Sequence, residues 1–140
     1  MNLDRFIKGH NMDYNTALEE IKGGRKRSHW IWYIFPQIHG LGMSVTSELY
    51  AIQSAGEARE YMSNELLREH MFEICRALLE LEVNDPRQVM GHPDDLKLRS
   101  SMTLFAEVTP EYDIFQKVLN KYYGGEQDQR TIEILNREKE

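Results

Sequence analysis

The sequence predicts an all-α fold, a compact single-domain bundle of about seven short and medium helices in orthogonal packing. Helix-capping residues and glycine stops recur along the chain, and the apolar residues between them are spaced three and four apart. Strand-like alternation is confined to one short run. A chain of 140 residues can bury one core without disulfides or metals, so residues 1–140 are expected to form one domain.

The first two helices are predicted from their ends. Apolar residues at helical spacing indicate a helix over Asp13–Ile21, which Gly23-Gly24 would stop. Ser54, followed three residues later by Glu57, has the form of a capping box in which each residue bonds the other's backbone amide. That box would open a helix running through Met62.

Ser63 or Asn64 can cap the next and longest amphipathic segment, which is expected to end at about Glu82. Asp85-Pro86 combines an N-cap with proline at the first helical position, and Gly91 would close that short turn.

Two further prolines, Pro93 and Pro110, are expected to open helices in the same way. The second of these helices would end at Gly124-Gly125, and Asp128 would cap the last one.

Six consecutive apolar residues, Trp30–Phe35, contain four aromatic side chains and both tryptophans of the chain. Periodicity alone cannot separate a buried strand from a buried helical turn in so short a run. No other segment has a strand pattern, so a strand here would have no pairing partner. Ser28 is a suitable N-cap and Pro36 a natural exit, which favours a short buried helix.

Composition limits the function classes. A formal charge of −6 argues against general nucleic-acid binding, because such proteins normally carry a broad basic surface. Cys75 is the single cysteine, which excludes an internal disulfide and any multi-cysteine metal site. The longest apolar run is far too short to span a bilayer, and the N-terminus has no apolar signal region. The sequence therefore predicts a cytoplasmic protein with no membrane association.

Two long motifs carry a family resemblance: residues 26–42 and residues 93–105, with Tyr50-Ala51-Ile52 between them and Gly124-Gly125, Asp128 and Thr131 after them. Over nearly its whole length the chain resembles the domain of unknown function 1810 family, small bacterial proteins that automatic annotation sometimes labels calpastatin. The resemblance implies a compact, mainly α-helical domain and implies no reaction. The calpastatin label has no physical support, because such inhibitors are long disordered chains.

The second motif places polar residues within an apolar helical stripe. On a helical projection, Asp94, Lys97 and Ser101 fall in the same sector as Leu98 and Met102. Lys97 and Ser101 are four residues apart and are therefore neighbours on the helix surface. A buried amine or hydroxyl without a partner costs several kcal/mol, so these groups require partners.

Three interpretations of this constellation are open. In the structural one, Lys97 pairs with Asp94, and Ser101 bonds the carbonyl four residues back. In the binding one, Lys97, Ser101 and Ser100 face the cationic 25–29 segment and hold an anion, with a tryptophan as the stacking wall. In the catalytic one, Lys97 activates Ser101 or acts as a base itself.

The remaining candidates are weaker. His29 is a candidate proton carrier or a structural residue, and the five histidines show no metal-ligand spacing. Gly40-Leu41-Gly42 is too short for a dinucleotide fingerprint, but its free amides could donate to a ligand. Gln37 could bond either backbone or a base edge.

These observations predict binding, with or without processing, of an anionic, nucleotide-like small molecule. The alternative is a non-enzymatic module that docks a protein partner through the basic Arg25–His29 edge. No metal and no cofactor are indicated, and catalytic residues are unassigned. The candidate ligand-binding residues are Lys26, Ser28, His29, Trp30, Trp32, Gln37, Gly40, Gly42, Asp94, Lys97, Ser100 and Ser101.

Overall fold

A computed structural model describes residues 2–139, and the described part of the chain folds into nine α-helices. The all-α prediction is confirmed, with more helices than the expected seven or so. The helices are α1 Asp4–Lys22, α2 Ile31–Ile34, α3 Val45–Tyr50, α4 Ala55–Ser63, α5 Glu65–Glu80, α6 Pro86–Met90, α7 Asp94–Val108, α8 Ile114–Tyr123 and α9 Gln129–Glu138.

Side-chain caps begin four of the predicted helices. Ser54, Asn64, Asp85 and Asp128 each accept a hydrogen bond from a backbone amide two or three residues further on. Such caps satisfy amides that have no partner inside the helix. Because the bond closes within three residues, the sequence predicts these helix starts well.

Two predicted helix starts were wrong, and one helix was missed. Helix α1 begins at Asp4 instead of Asp13, since Phe6 and His10 extend its buried face towards the N-terminus. Helix α8 begins at Ile114, because the residues after Pro110 form a turn in which the amide of Tyr112 bonds the carbonyl of Thr109. Helix α3 was not predicted, because it has no buried residue and so no apolar stripe.

The aromatic run forms a short helix, as predicted, but Ser28 does not cap it. Trp30 occupies the capping position without a side-chain hydrogen bond, and the Ser28 hydroxyl donates instead to Glu20, 2.6 Å away. Helix α2 ends at Ile34, before Pro36.

The core is built around α7, which packs against α8, α6, α9, α4 and α2. Its largest fully buried side chains are Trp30, Tyr61, Phe6, Phe35 and Phe105. Large aromatic side chains contribute most of the buried apolar area in a domain of this size. Among the described helices, none is long and apolar enough to cross a membrane.

A short parallel bridge between Ile38 and Ile52 closes the segment that contains α3. The amide of His39 donates to the carbonyl of Ile52 at 2.9 Å, and the amide of Ile52 donates to the carbonyl of Gln37 at 2.8 Å. These two bonds hold together the ends of the segment 40–50, which consists of a glycine loop followed by α3.

One histidine lies inside the core. The Nε2 atom of His10 is 2.8 Å from the carbonyl of Tyr33, which can only accept, so His10 donates through Nε2. Its Nδ1 atom therefore accepts from Nδ1 of His70, 2.9 Å away. Both rings are neutral in this arrangement. Burial lowers the pKa of His10 to about 4, against a smaller raising effect of the Tyr33 carbonyl and a further lowering by His70.

We expect the protein to lose stability on mild acidification. The folded-state pKa of His10 is lowered from 6.5 to about 4, so the unfolded chain binds its proton first and stability falls as pH drops from 6.5 towards 4. Between about pH 7 and pH 5 this amounts to about 2 kcal/mol, measurable by urea unfolding. The variant His10→Asn should flatten that dependence, whereas His29→Asn, at an exposed position, should leave it intact.

Candidate functional site

A cleft of about 660 Å³ lies between the first half of α7, the end of α2 and the 37–53 segment. Pockets of this size are typical of small-molecule sites. The Ile38–Ile52 bridge fixes the 37–53 wall against the core. The cleft is therefore assembled from three parts of the chain, residues 32–53, the start of α7 and the start of α9, where Asp128 and Arg130 lie.

One wall of the cleft is aromatic. Trp32 is half-buried there, and Nζ of Lys97 lies 5.9 Å from the centroid of its ring. Tyr50 also lines the cleft, and its ring packs edge-on against Tyr33 at 5.1 Å between centroids. This wall offers a flat face with a positive charge beside it.

Two arginines line the same cleft. Nη2 of Arg130 donates to the carbonyl of Gly40 at 3.1 Å, and Nη1 of Arg99 lies 3.7 Å from a carboxylate oxygen of Glu126. The Nε atom of Arg99 is buried and has no hydrogen-bond partner among the described residues. A guanidinium group carries five N–H donors, so both arginines keep donors for a further acceptor.

The carboxylates of the cleft differ in how far they are already engaged. Asp128 caps α9, accepting from the amide and the hydroxyl of Thr131 at 3.1 and 2.5 Å and from the hydroxyl of Ser100 at 3.2 Å. Glu48 is exposed on α3 and has no ion-pair partner in the described part of the chain. The remaining polar residues of the lining are uncharged amides and a hydroxyl, with one histidine: Gln37, His39, Ser47 and Gln53.

The loop before α3 requires glycine at two positions. Gly40 has a φ of +90°, which other residues rarely adopt, and a Cβ on Gly42 would lie 2.5 Å from Cβ of Ser47. Within residues 2–139, the amides of Gly40 and Gly42 donate to no other group. Free amides beside a cleft are available donors for an anion.

Asp94 lies between two lysines at the N-terminal end of α7. Its Oδ2 is 2.8 Å from Nζ of Lys26, and its Oδ1 is 3.5 Å from Nζ of Lys97. The Lys26 side chain is only 6% exposed, also donates to the carbonyl of Ser28, and lies over the Trp30 ring. Lys97 is 31% exposed and faces the cleft. The two lysines thus meet at one carboxylate, and only Lys97 is open to a ligand.

Glu20 organises the cationic turn and was not predicted from the sequence. Its carboxylate accepts from the amides of Arg27 and Ser28, from the Ser28 hydroxyl and from the indole N–H of Trp30. Burial would raise the pKa of Glu20, but these hydrogen bonds outweigh it and lower the pKa to about 2. Glu20 lies 7 to 10 residues before its partners in the sequence, so no local pattern marked it.

Half of the predicted ligand-binding residues line the cleft. Those that do are Trp32, Gln37, Gly40, Gly42, Lys97 and Ser100. Those placed elsewhere are Lys26, Ser28, His29, Trp30, Asp94 and Ser101. The cleft residues that the sequence analysis did not single out include Arg99, Arg130, His39, Glu48, Tyr50 and Asp128. Most of them belong to the stretches that carry the family resemblance, but their spacing does not show which of their side chains would meet at one cleft.

No contact of Lys97 or Ser101 among the described residues supports the catalytic interpretation. The hydroxyl of Ser101 is fully buried and has no partner among the described residues, and Lys97 pairs with Asp94 instead. A lysine that activates a serine must be within hydrogen-bonding reach of it. In residues 2–139, no group of three or more histidine, cysteine, aspartate or glutamate side chains could hold a metal ion.

Comparison with known proteins gives a family and a fold relative. The family described as "Protein of unknown function (DUF1810)" matches residues 1–135. The crystal structure of the conserved hypothetical protein Rv1873 from Mycobacterium tuberculosis is similar, with 41% sequence identity, a TM-score of 0.93 and coverage of 96% of each chain. No curated protein matches the chain.

The two ion pairs of Asp94 are expected to contribute unequally to the stability of the fold. Asp94→Asn leaves the buried Lys26 ammonium without its carboxylate and should lower the free energy of unfolding by about 2 kcal/mol. Lys97→Met keeps the apolar stem and removes a longer, more exposed pair, so it should cost less than about 1 kcal/mol. Chemical denaturation of both variants measures the difference. A larger loss for Lys97→Met would mean that Lys97 is a structural residue.

Proposed function

The chain belongs to the DUF1810 family of proteins of unknown function, and from the geometry of its cleft we propose that it binds an anionic small molecule with a planar ring, of the kind that a nucleotide provides. The observation that carries the proposal is the placement of Lys97 over the ring of Trp32, in a cleft that two arginines also line. The proposal places the protein in the cytoplasm, where a free thiol such as Cys75 stays reduced.

Trp32 is suited to stack on a planar group. Its side chain is half-buried, so the ring is held by the core while part of it borders the cleft. Stacking on an aromatic face is tolerant of the particular base and contributes about 1–3 kcal/mol. Gln37, also in the cleft, can donate to or accept from the edge of such a ring.

The arginines and the glycine loop supply the anion-binding groups. Arg130 is tied to Gly40 through one of its nitrogen atoms, which holds the guanidinium against the 40–42 loop. The free amides of that loop add further donors beside the cleft. Arginine matches phosphate oxygens with two parallel hydrogen bonds, which makes a phosphate the favoured anion.

The charge balance of the cleft also favours an anion. Asp128 is occupied by the α9 cap and Asp94 by the two lysines, so these carboxylates already have positive or hydrogen-bonding partners. Glu48 remains and can accept hydroxyl groups of a sugar. A ligand with a phosphate and a ribose would use both kinds of group.

The alternative function, docking of a protein partner, is favoured by a separate surface. Arg25, Arg27 and His29 are exposed, and none of their side chains makes an ion pair in the described part of the chain. This basic edge lies on the turn that Glu20 organises, away from the cleft lining. A partner bound there would be acidic and would not compete with a cleft ligand.

We expect a nucleotide to quench the fluorescence of Trp32. The other tryptophan, Trp30, is fully buried with its indole N–H bonded to Glu20, so it should report little. Titration with AMP or ADP should give saturable quenching that weakens as salt rises. In the Trp32→Leu variant most of that quenching should disappear; if it persists, the ring does not stack on Trp32.

Anions should also raise the melting temperature. A ligand that binds only the folded protein stabilises it by about 2.7 kcal/mol at a hundredfold excess over its dissociation constant. Phosphate and ADP should therefore raise the melting temperature more than chloride at matched ionic strength does. Both Lys97→Met and Arg130→Gln should remove most of this specific increase.

The matched control for that experiment is Arg76→Gln. Arg76 is exposed on α5 and lines none of the described clefts, so its loss changes the net charge equally and should leave the increase intact. An increase that survives both cleft variants would contradict the proposed site. The docking function would be favoured by two results together. The parent protein would show no response to nucleotides, and replacement of Arg25 and Arg27 would abolish binding to an acidic protein partner.

A further inference from the structure

A second cleft of about 400 Å³ lies directly behind one wall of the first. His39, Gly40 and Arg130 line both clefts, so these residues form the ridge that separates them. The second cleft is completed by side chains of α9, among them Glu133 and Arg137.

At Gly40 the ridge consists of backbone alone. A Cβ built there would lie 3.3 Å from Cδ1 of Ile134, so Gly40 packs closely against α9. Arg130 bonds the Gly40 carbonyl through Nη2 and keeps further N–H groups. Because Arg130 lines both clefts, a phosphate bound to those remaining groups would lie at the border of the two clefts.

The second cleft differs chemically from the first. It is lined by no phenylalanine, tyrosine or tryptophan, and thus offers no aromatic wall like that of Trp32. Glu133 and Arg137, four residues apart on α9, are exposed and have no ion-pair partner among the described residues. Glu133 supplies hydrogen-bond acceptors and Arg137 supplies donors. Hydroxyl groups both donate and accept hydrogen bonds, so a neutral group with several hydroxyls can use both residues. Glu138 is partly engaged, because it accepts from the amide of Ala55 at 3.0 Å.

We propose that the two clefts form one extended site for a nucleotide whose phosphates carry a sugar, the class of nucleoside diphosphate sugars. The base stacks on Trp32, the diphosphate lies at Arg130 on the ridge, and the sugar hydroxyls bond Glu133 and Arg137. This inference rests on the proposed nucleotide binding in the first cleft and adds to it the group attached to the phosphates.

The test compares ADP-glucose with ADP on the full chain, by isothermal titration or by the Trp32 fluorescence signal. The parent protein should bind ADP-glucose about tenfold more tightly than ADP, the gain expected from a charge-assisted hydrogen bond. Glu133→Gln and Arg137→Gln should each lower that ratio towards one. ADP carries about one more negative charge than ADP-glucose at neutral pH, because its terminal phosphate is a monoester. A change in the local field alone would therefore move the ratio in opposite directions in Glu133→Gln and Arg137→Gln, whereas loss of a sugar contact lowers the ratio in both variants. Arg76→Gln is the matched control and should keep the ratio of the parent protein.

The outcomes separate the two proposals. If ADP binds and the ratio is one in the parent protein, the second cleft takes no sugar and this inference is wrong while nucleotide binding stands. A raised ratio that neither α9 variant lowers also contradicts it, since the sugar would then lie elsewhere. If neither ligand binds, the proposed function fails and the inference fails with it.

Discussion

The carboxylate of Glu20 is the interaction on which the geometry of this protein depends most. It gathers two backbone amides, a hydroxyl and the indole N–H of Trp30, and so fixes the turn between α1 and α2. With its polar atom satisfied, Trp30 can be buried completely. Trp32 follows two positions later, and at about 100° per residue it points to the other side of the turn, where the cleft lies.

Asp94 fixes the positions of two positively charged side chains, as Glu20 fixes those of its hydrogen-bond donors. By pairing with Lys26 on one side and Lys97 on the other, it joins the cationic turn to the start of α7. Lys26 is thereby withdrawn into the protein, and Lys97 is left beside Trp32. The two tryptophans of the aromatic run therefore have different surroundings. Trp30 lies in the core beside Lys26, whereas Trp32 borders the cleft beside Lys97 of α7.

The glycine loop shows how one backbone segment can serve two clefts. The Ile38–Ile52 bridge holds the ends of the 40–50 segment, which lets Gly40 approach α9 and accept from Arg130. Because of this approach, Gly40 and Arg130 line both clefts and form the border between them. The loop is thus the element through which the proposed base, phosphate and sugar positions are related.

The sequence alone determined the helical class and several helix starts, because a cap such as Ser54 or Asn64 bonds an amide only three residues away. It also marked Lys97 and Trp32, but could not tell Trp32 from Trp30. Only the tertiary structure decided which tryptophan reaches the cleft, and brought Arg130 into the cleft that Lys97 also lines. Cleft walls and shared carboxylates depend on how distant helices pack, and no spacing within one segment encodes that contact.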